Sequence, residues 1–303
     1  METSQATSRQ EAIAAPQRRH TVVMGRQDFF STTMRLIGVE LYKLRRRLMS
    51  KVMIVIAVIA VFLLFQIIAL QGPPSLPQSF TTPIFFVTNF AGIILITILA
   101  GTIVGGEYSV GTVRLVLTRG PSRIQFLLAK LGTLLVIIAV GILLLALLGI
   151  ILDVLFILIT GIGFDLRFLS GEWLIHALCF TLEAVLGLFV YASLAVCLAT
   201  LGKNTAAGVA GGLVWWILEG ILAVGFSQVA LYSQGPTRDF LLAVPTYFIG
   251  TNVNSLLQNQ DHFLTGGVSG SLGDLHSILV LLIYLILLIG LTWRINEQRD
   301  VTN

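Results

Sequence analysis

The chain has 303 residues, of which 56% are hydrophobic and 11% are charged, and its formal net charge is +4. Soluble domains carry about 25% charged residues, so this composition excludes a water-soluble globular protein and indicates an integral membrane protein. The positive charge follows the pattern by which basic residues mark membrane topology, so we expect no nucleic-acid partner.

The N-terminal region divides into two predicted parts. Residues 1–28 are rich in Gln, Ala, Ser and Arg and predict a disordered cytoplasmic tail. In residues 29–51 the basic residues Lys43, Arg46 and Arg47 lie away from an apolar stripe, which predicts an amphipathic interfacial helix that contacts anionic membrane lipid. An alternative is that this helix also docks a cytoplasmic partner. The stripe consists of Phe30, Met34, Ile37, Leu41, Leu44 and Leu48.

Six apolar runs follow. A bilayer core about 30 Å thick requires about 20 apolar residues in helical form, whereas a β-barrel would show shorter segments that alternate between apolar and polar residues. The sequence therefore predicts an all-α membrane domain over residues 52–294 with six transmembrane helices. The first run follows a polar, basic segment and is predicted to span the membrane rather than to be a cleaved signal peptide. The predicted spans are 52–70, 84–104, 131–152, 173–201, 206–226 and 278–293.

The distribution of Lys and Arg predicts the orientation of these spans. Seventeen of the nineteen basic residues fall on one side, and only Arg167 and Arg238 fall on the other. Because basic residues are retained on the cytoplasmic side, both termini are predicted to be cytoplasmic, including a short tail at 295–303. The segment 227–277 then lies outside, where its prolines and apolar stretch suggest short re-entrant helices.

Two carboxylates stand out within the spans. Glu183 lies near the middle of the fourth span and Glu219 lies in the outer half of the fifth. Ionisable groups cost about 2.5–3.5 kcal/mol each at mid-bilayer, so one interpretation is a polar transport pathway. The alternative is a carboxyl group that is neutralised by burial or that reaches the membrane interface.

Small residues mark two places where helices can approach closely. They are Gly101-x-x-x-Gly105 in the second span and Gly208-x-x-x-Gly212 in the fifth. Such spacing allows two helix backbones to pack against each other. It fits either packing within the bundle or a dimer contact, and the sequence does not choose between them.

Motifs for catalysis are missing from the sequence. There is no zinc-protease motif, no nucleophile elbow and no cluster of Cys and His with metal-ligand spacing. Gly202-Lys203-Asn204-Thr205 lacks the upstream Gly of a phosphate-binding loop and the Ser or Thr directly after its Lys. We therefore expect no enzyme activity and no bound cofactor or metal in this chain, so that any ATP is bound by another protein.

A charged segment at 105–130 separates the second and third spans. It reads Glu107-x-x-x-Gly111-Thr112, then Arg114 and Leu115, then Ser122-Arg123 and Lys130 at the start of the next helix. This pattern resembles the cytoplasmic loop of ABC-2 type permeases, the membrane subunits of a class of ABC transporters. The resemblance extends to the basic amphipathic helix, the six spans and the long outer segment.

This resemblance implies a permease that works as a dimer, most simply a homodimer, with two copies of a separate ATPase subunit that binds ATP and Mg. It also implies export of a hydrophobic or amphipathic substrate (a lipid, drug or peptide) across a plasma membrane, here a prokaryotic cytoplasmic membrane. The outer segment would form a gate. An ordinary positive-inside loop is the alternative explanation of the charged segment. The residues that would contact the ATPase are Glu107, Gly111, Thr112, Arg114, Leu115 and Arg123.

Two further functions remain open at the level of sequence. An ion-coupled secondary carrier would use Glu183 and Glu219 as proton or cation sites and would need no ATPase. A membrane anchor that recruits an ATPase without transport could keep the same charged loop. Dependence of transport on ATP rather than on a pH gradient separates the first alternative from the permease.

Overall fold

A computed structural model describes residues 29–109, 122–161 and 166–298, and the described residues form helices and no strands. A five-residue π-helical turn, Val87–Ala91, joins the third and fourth helices. A 3₁₀ turn, Val244–Tyr247, separates the eighth and ninth. The helices are α1 Phe29–Arg46, α2 Leu48–Gln71, α3 Leu76–Phe86, α4 Gly92–Ser109, α5 Arg123–Thr160, α6 Gly171–Gly202, α7 Thr205–Tyr232, α8 Pro236–Ala243, α9 Ile249–Thr265 and α10 Asp274–Gln298.

Six helical segments in the described part of the chain are long and apolar enough to cross a membrane, which confirms the predicted all-α fold with six spans. They are α2, α3 with α4, α5, α6, α7 and α10. Several helices extend beyond the predicted apolar runs, because polar capping residues and not hydropathy mark their starts. The seventh candidate, α8 with α9, is bent by 77°.

Capping boxes begin two of these helices. Ser122 Oγ accepts a hydrogen bond from the Gln125 amide at 3.3 Å, and Gln125 Oε1 accepts one from the Ser122 amide at 2.8 Å. This reciprocal pair satisfies amides that the first turn of α5 leaves without helical partners. Ser75 and Gln78 form the same arrangement at the start of α3. The start of α5 is therefore well defined at the far side of the charged segment.

The helix α6 forms the centre of the bundle. In its most apolar window 72% of the residues are buried, compared with 11% in α2 and in α7. The sequence of α6 supplies small residues at its contacts with α7, including Ala195 and Ala199. The helices α2 and α7 therefore present most of their apolar side chains to the outside of the single chain, where lipid or another protein covers them.

Glycines bring α4 and α7 into direct contact. A Cβ at Gly105 would lie 2.5 Å from the Thr205 Cα, and a Cβ at Gly208 would lie 2.9 Å from the Gly101 Cα. No side chain fits at such separations, so each helix needs glycine at the crossing. Both glycine pairs thus pack within the bundle, which decides between the two alternatives left by the sequence.

The two ends of the bundle have different characters. The end that carries α1, here called the α1 end, includes Ser109, Arg123 and the α6–α7 turn at Lys203. The opposite end, here called the α9 end, carries α8 and α9 within the segment 227–277. The helix α9 packs against α6 and α10.

Candidate coupling site

Four charged side chains at the α1 end form a cluster, here called the charge cluster: Glu40, Lys43, Glu107 and Lys130. Lys130 Nζ lies 2.6 Å from Glu107 Oε1 and 2.9 Å from Glu40 Oε2. Lys43 Nζ lies 2.7 Å from Glu40 Oε1 and 3.9 Å from Glu107 Oε1. The cluster joins α1, α4 and α5, and its two acids balance its two bases.

Burial makes this cluster different from a surface ion pair. The Lys130 side chain is 2% exposed and both carboxylates are 12% exposed. Burial raises the pKa of Glu40, but the attraction of Lys130 and Lys43 outweighs this effect and leaves the pKa below its usual value of 4.5. Glu40 is therefore ionised at neutral pH, and it pairs with both lysines of the cluster.

Arg123, on the C-terminal side of the charged segment, binds the last helix, α10. Arg123 Nη1 donates hydrogen bonds to the backbone oxygens of Asn296 and Glu297, both at 2.8 Å. The Tyr108 hydroxyl at the end of α4 also hydrogen-bonds to the Asn296 side chain. These contacts join the start of α5 and the end of α4 to the last described turn of α10.

The predicted coupling residues thus fall into two groups. Glu107 lies at the end of α4 and Arg123 at the start of α5; these two helix ends, which flank residues 110–121, are here called the stems of the charged segment. Each of the two residues contacts other helices of the same chain. Gly111, Thr112, Arg114 and Leu115 lie outside the described residues. The contact of all six with an ATPase stays a prediction. Glu107 also has a role within the permease, because its carboxylate accepts a hydrogen bond from the buried Lys130 side chain.

The sequence reasoning did not identify Glu40. Residues 29–51 contain six basic residues and one acid, Glu40. A lone acid in a basic segment is the feature of the sequence that could have indicated a buried ion pair. Its partner Lys130 is 90 positions further along the chain, so no local pattern connects the two. The pairing depends on how α1 packs along the start of α5, where Ile37 contacts Gly132.

The predicted interfacial residues differ in their surroundings. Lys43 belongs to the charge cluster, and the Arg46 guanidinium lies 4.7 Å from the centre of the Tyr42 ring. Arg47 has extended backbone between α1 and α2 and is exposed. The apolar stripe also divides, because Leu44 is buried against the bundle while Phe30 is 70% exposed. Only part of the stripe is therefore free to contact lipid.

Glu219 on α7 contacts the beginning of α9. Its Oε1 accepts a hydrogen bond from the Gly250 amide at 2.9 Å, and its Oε2 accepts one from the Tyr191 hydroxyl at 3.3 Å. The residue before α9, Phe248, provides no side-chain cap. A carboxylate from another helix therefore takes the position that an N-cap side chain normally occupies, next to the positive end of the helix dipole.

Glu183 on α6 contacts the second half of α9. Its Oε1 accepts a hydrogen bond from Gln260 Nε2 at 3.0 Å. The Gln260 amide group also lies 2.7 Å from His176 Nδ1 and 3.4 Å from Asp274 Oδ2. The two carboxylates predicted to mark a pathway thus both hydrogen-bond to α9, one near each end. Neither role was visible from the sequence, since Gln260 lies 77 positions after Glu183.

The described residues contain no group of three or more His, Cys, Asp or Glu side chains placed to hold a metal ion. The six apolar helices define the class: the chain is a multi-pass membrane protein.

Residues 36–219 match the family described as ABC-2 family transporter protein. This match covers more than half of the chain, so the chain belongs to the ABC-2 transporter family and is a membrane permease. The matched range contains the charge cluster and both stems of the charged segment. The resemblance inferred from the loop pattern is therefore confirmed. No curated protein matches the chain.

Proposed function

We propose that the chain is the membrane subunit of an ATP-driven exporter and that residues 110–121 form its contact with a separate ATPase. In this proposal two ATPase subunits bind ATP and Mg, and the permease binds neither. The observation that carries the proposal is the anchoring of both stems of this segment, by Lys130 on one side and by the end of α10 on the other.

Because both stems are held by other helices, a force applied to residues 110–121 can be transmitted to the rest of the permease. A partner that pushes on residues 110–121 displaces Glu107 and Arg123 directly, because these residues flank the segment. The charge cluster carries the displacement from Glu107 to α1 and α5, and the Arg123 contacts carry it to α10. Gly111, Thr112, Arg114 and Leu115 are the residues of the segment that we assign to the ATPase contact, with Arg114 able to form charge-assisted hydrogen bonds.

The peripheral position of α7 supports a dimer of permease subunits. Only 11% of its most apolar window is buried within one chain. Trp216, Gly220 and Val224 line a shallow cleft of about 660 Å³ on its outer face, and a Cβ at Gly220 would meet no atom within 4 Å. A second copy of the chain would cover this face, and the substrate pathway would run between the copies.

The contacts of α9 support a role as an outer gate. Glu219 holds its first turn and Glu183 holds Gln260 in its second half. Movement of α6 relative to α7 would break these two contacts one after the other and release α9. In this proposal the α9 end is extracytoplasmic, both termini are cytoplasmic and the membrane is the prokaryotic plasma membrane. The apolar surroundings suit a hydrophobic or amphipathic substrate.

The proposal is tested by purifying the tagged full-length chain from its own host membrane and measuring vanadate-sensitive ATP hydrolysis in the eluate. Arg114→Glu reverses a charge within the proposed contact, and we expect it to lower co-purified ATP hydrolysis at least tenfold. Lys203→Glu makes the same reversal at the neighbouring α6–α7 turn and serves as the control. Equal hydrolysis in the wild type and both variants would contradict the assigned contact.

Transport measurements separate the remaining functions. In vesicles that contain the purified complex, an exporter moves substrate only when ATP is present. An ion-coupled carrier instead transports in response to a pH gradient without nucleotide, and Glu183→Gln abolishes that transport. An anchor co-purifies with ATPase activity but transports under neither condition.

A further inference from the structure

The corner between α1 and α2 carries a patch of positive charge, here called the corner patch: Arg45, Arg46, Arg47 and Lys51. All four residues are exposed. They lie within seven positions of the chain, and Lys51 is about 6 Å along α2 from Arg47 at the helical rise. The patch therefore concentrates four cations at one point of the α1 end.

The nearby acids do not neutralise this patch. The acids of the neighbouring helices α1 and α4 are Glu40 and Glu107, and both pair with Lys130 and Lys43. Among the described residues no acid forms an ion pair with a member of the corner patch. Its charge is thus available to an anionic partner.

The apolar residues beside the patch identify the kind of partner. Leu48 is 76% exposed and Val52 is 47% exposed, and both lie on the first turns of α2. Since α2 is an apolar helix long enough to span a bilayer and has little protein cover, these side chains contact acyl chains. Cations directly before such residues lie at the depth of the lipid headgroups.

We propose that the corner patch binds the phosphate headgroup of an anionic phospholipid, with Arg45, Arg47 and Lys51 as its principal ligands. Arg46 adds charge but is stacked on Tyr42. Lys43 is excluded as a ligand because the charge cluster engages it. The bound lipid holds the α1–α2 corner in place, about two helical turns from Glu40. The proposal does not depend on the exporter function.

Lipid binding is measured on the full-length chain in neutral detergent by native mass spectrometry, with equal amounts of phosphatidylglycerol and phosphatidylcholine. The wild type is expected to retain phosphatidylglycerol preferentially. Each cation near a headgroup contributes about fivefold to this preference, so Arg45→Gln/Arg47→Gln lowers it about 25-fold. Arg45→Lys/Arg47→Lys keeps the charge and most of the preference.

A charge-matched control is Lys203→Gln/Arg294→Gln, which removes two exposed cations at the same end of the bundle. It should keep the preference of the wild type. Equal retention of both lipids by the wild type would overturn the proposal, and so would an equal loss in the control. If the patch variant keeps its lipid preference but loses co-purified ATP hydrolysis, the patch binds a protein partner and the lipid assignment is wrong.

Discussion

The buried lysine of the charge cluster allows a prediction of stability. Lys130→Met replaces the ammonium group by an apolar side chain of similar length and leaves the carboxylates of Glu40 and Glu107 in place. Removal of one partner of a buried ion pair costs about 3–5 kcal/mol, because the remaining charge stays buried without compensation. Unfolding free energy should therefore decrease substantially in this variant.

The structure narrows the expected magnitude. Lys43 lies 2.7 Å from Glu40 and partly replaces the lost charge, but it lies 3.9 Å from Glu107. Both carboxylates are 12% exposed, so some water reaches them. We therefore expect a loss near the lower limit, about 3 kcal/mol. A change of 1 kcal/mol shifts the unfolding temperature by about 2 °C in a chain of this size, which predicts a decrease of about 6 °C.

The assay is thermal unfolding of the full-length protein in detergent, followed by the fluorescence of its four tryptophans. Lys203→Met makes the same substitution at an exposed position and should shift the midpoint by less than about 1 °C. The triple variant Glu40→Gln/Glu107→Gln/Lys130→Met removes the stranded charges and should recover most of the loss. If Lys130→Met unfolds with the wild type, or if the triple variant is no more stable than the single one, the electrostatic argument is refuted.

Three further predictions concern the helix crossing, the pH dependence and α9. Gly105→Ala places a Cβ 2.5 Å from the Thr205 Cα and should cost about 2 kcal/mol in chemical unfolding, whereas Gly106→Ala meets no atom closer than 4.0 Å and should be nearly neutral. The lowered pKa of Glu40 means that its stabilising effect is present above about pH 4.5 and is lost as the pH falls below that value. The unfolding temperature of Glu40→Gln should therefore fall less between pH 7 and pH 4 than that of the wild type, and parallel curves would contradict the assignment. Glu219→Ala removes the acceptor of the Gly250 amide, so hydrogen exchange at the start of α9 should accelerate, while Glu172→Ala at the exposed start of α6 should leave it unchanged.

Particular residues show which features of the structure can be predicted from the local sequence pattern. The six spans were predictable because a run of about 20 apolar residues is a property of neighbouring positions. Ser122 and Gln125 extend α5 by eight residues before its predicted start, since a capping box overrides hydropathy at a helix end. The charge and position of Glu107 and Arg123 predict a role for both residues, but their partners on α1, α5 and α10 follow only from helix packing.

The sequence by itself determined the membrane class, the number of spans and the family, because these depend on local composition and on a short motif. The tertiary structure alone decided that Glu40 and Glu107 neutralise Lys130 and that Glu183 and Glu219 hold α9 at two points. The physical reason is the same in each case. A buried charge or an uncapped amide needs a compensating group within about 3 Å, and helix packing, not separation along the chain, determines which group is that near.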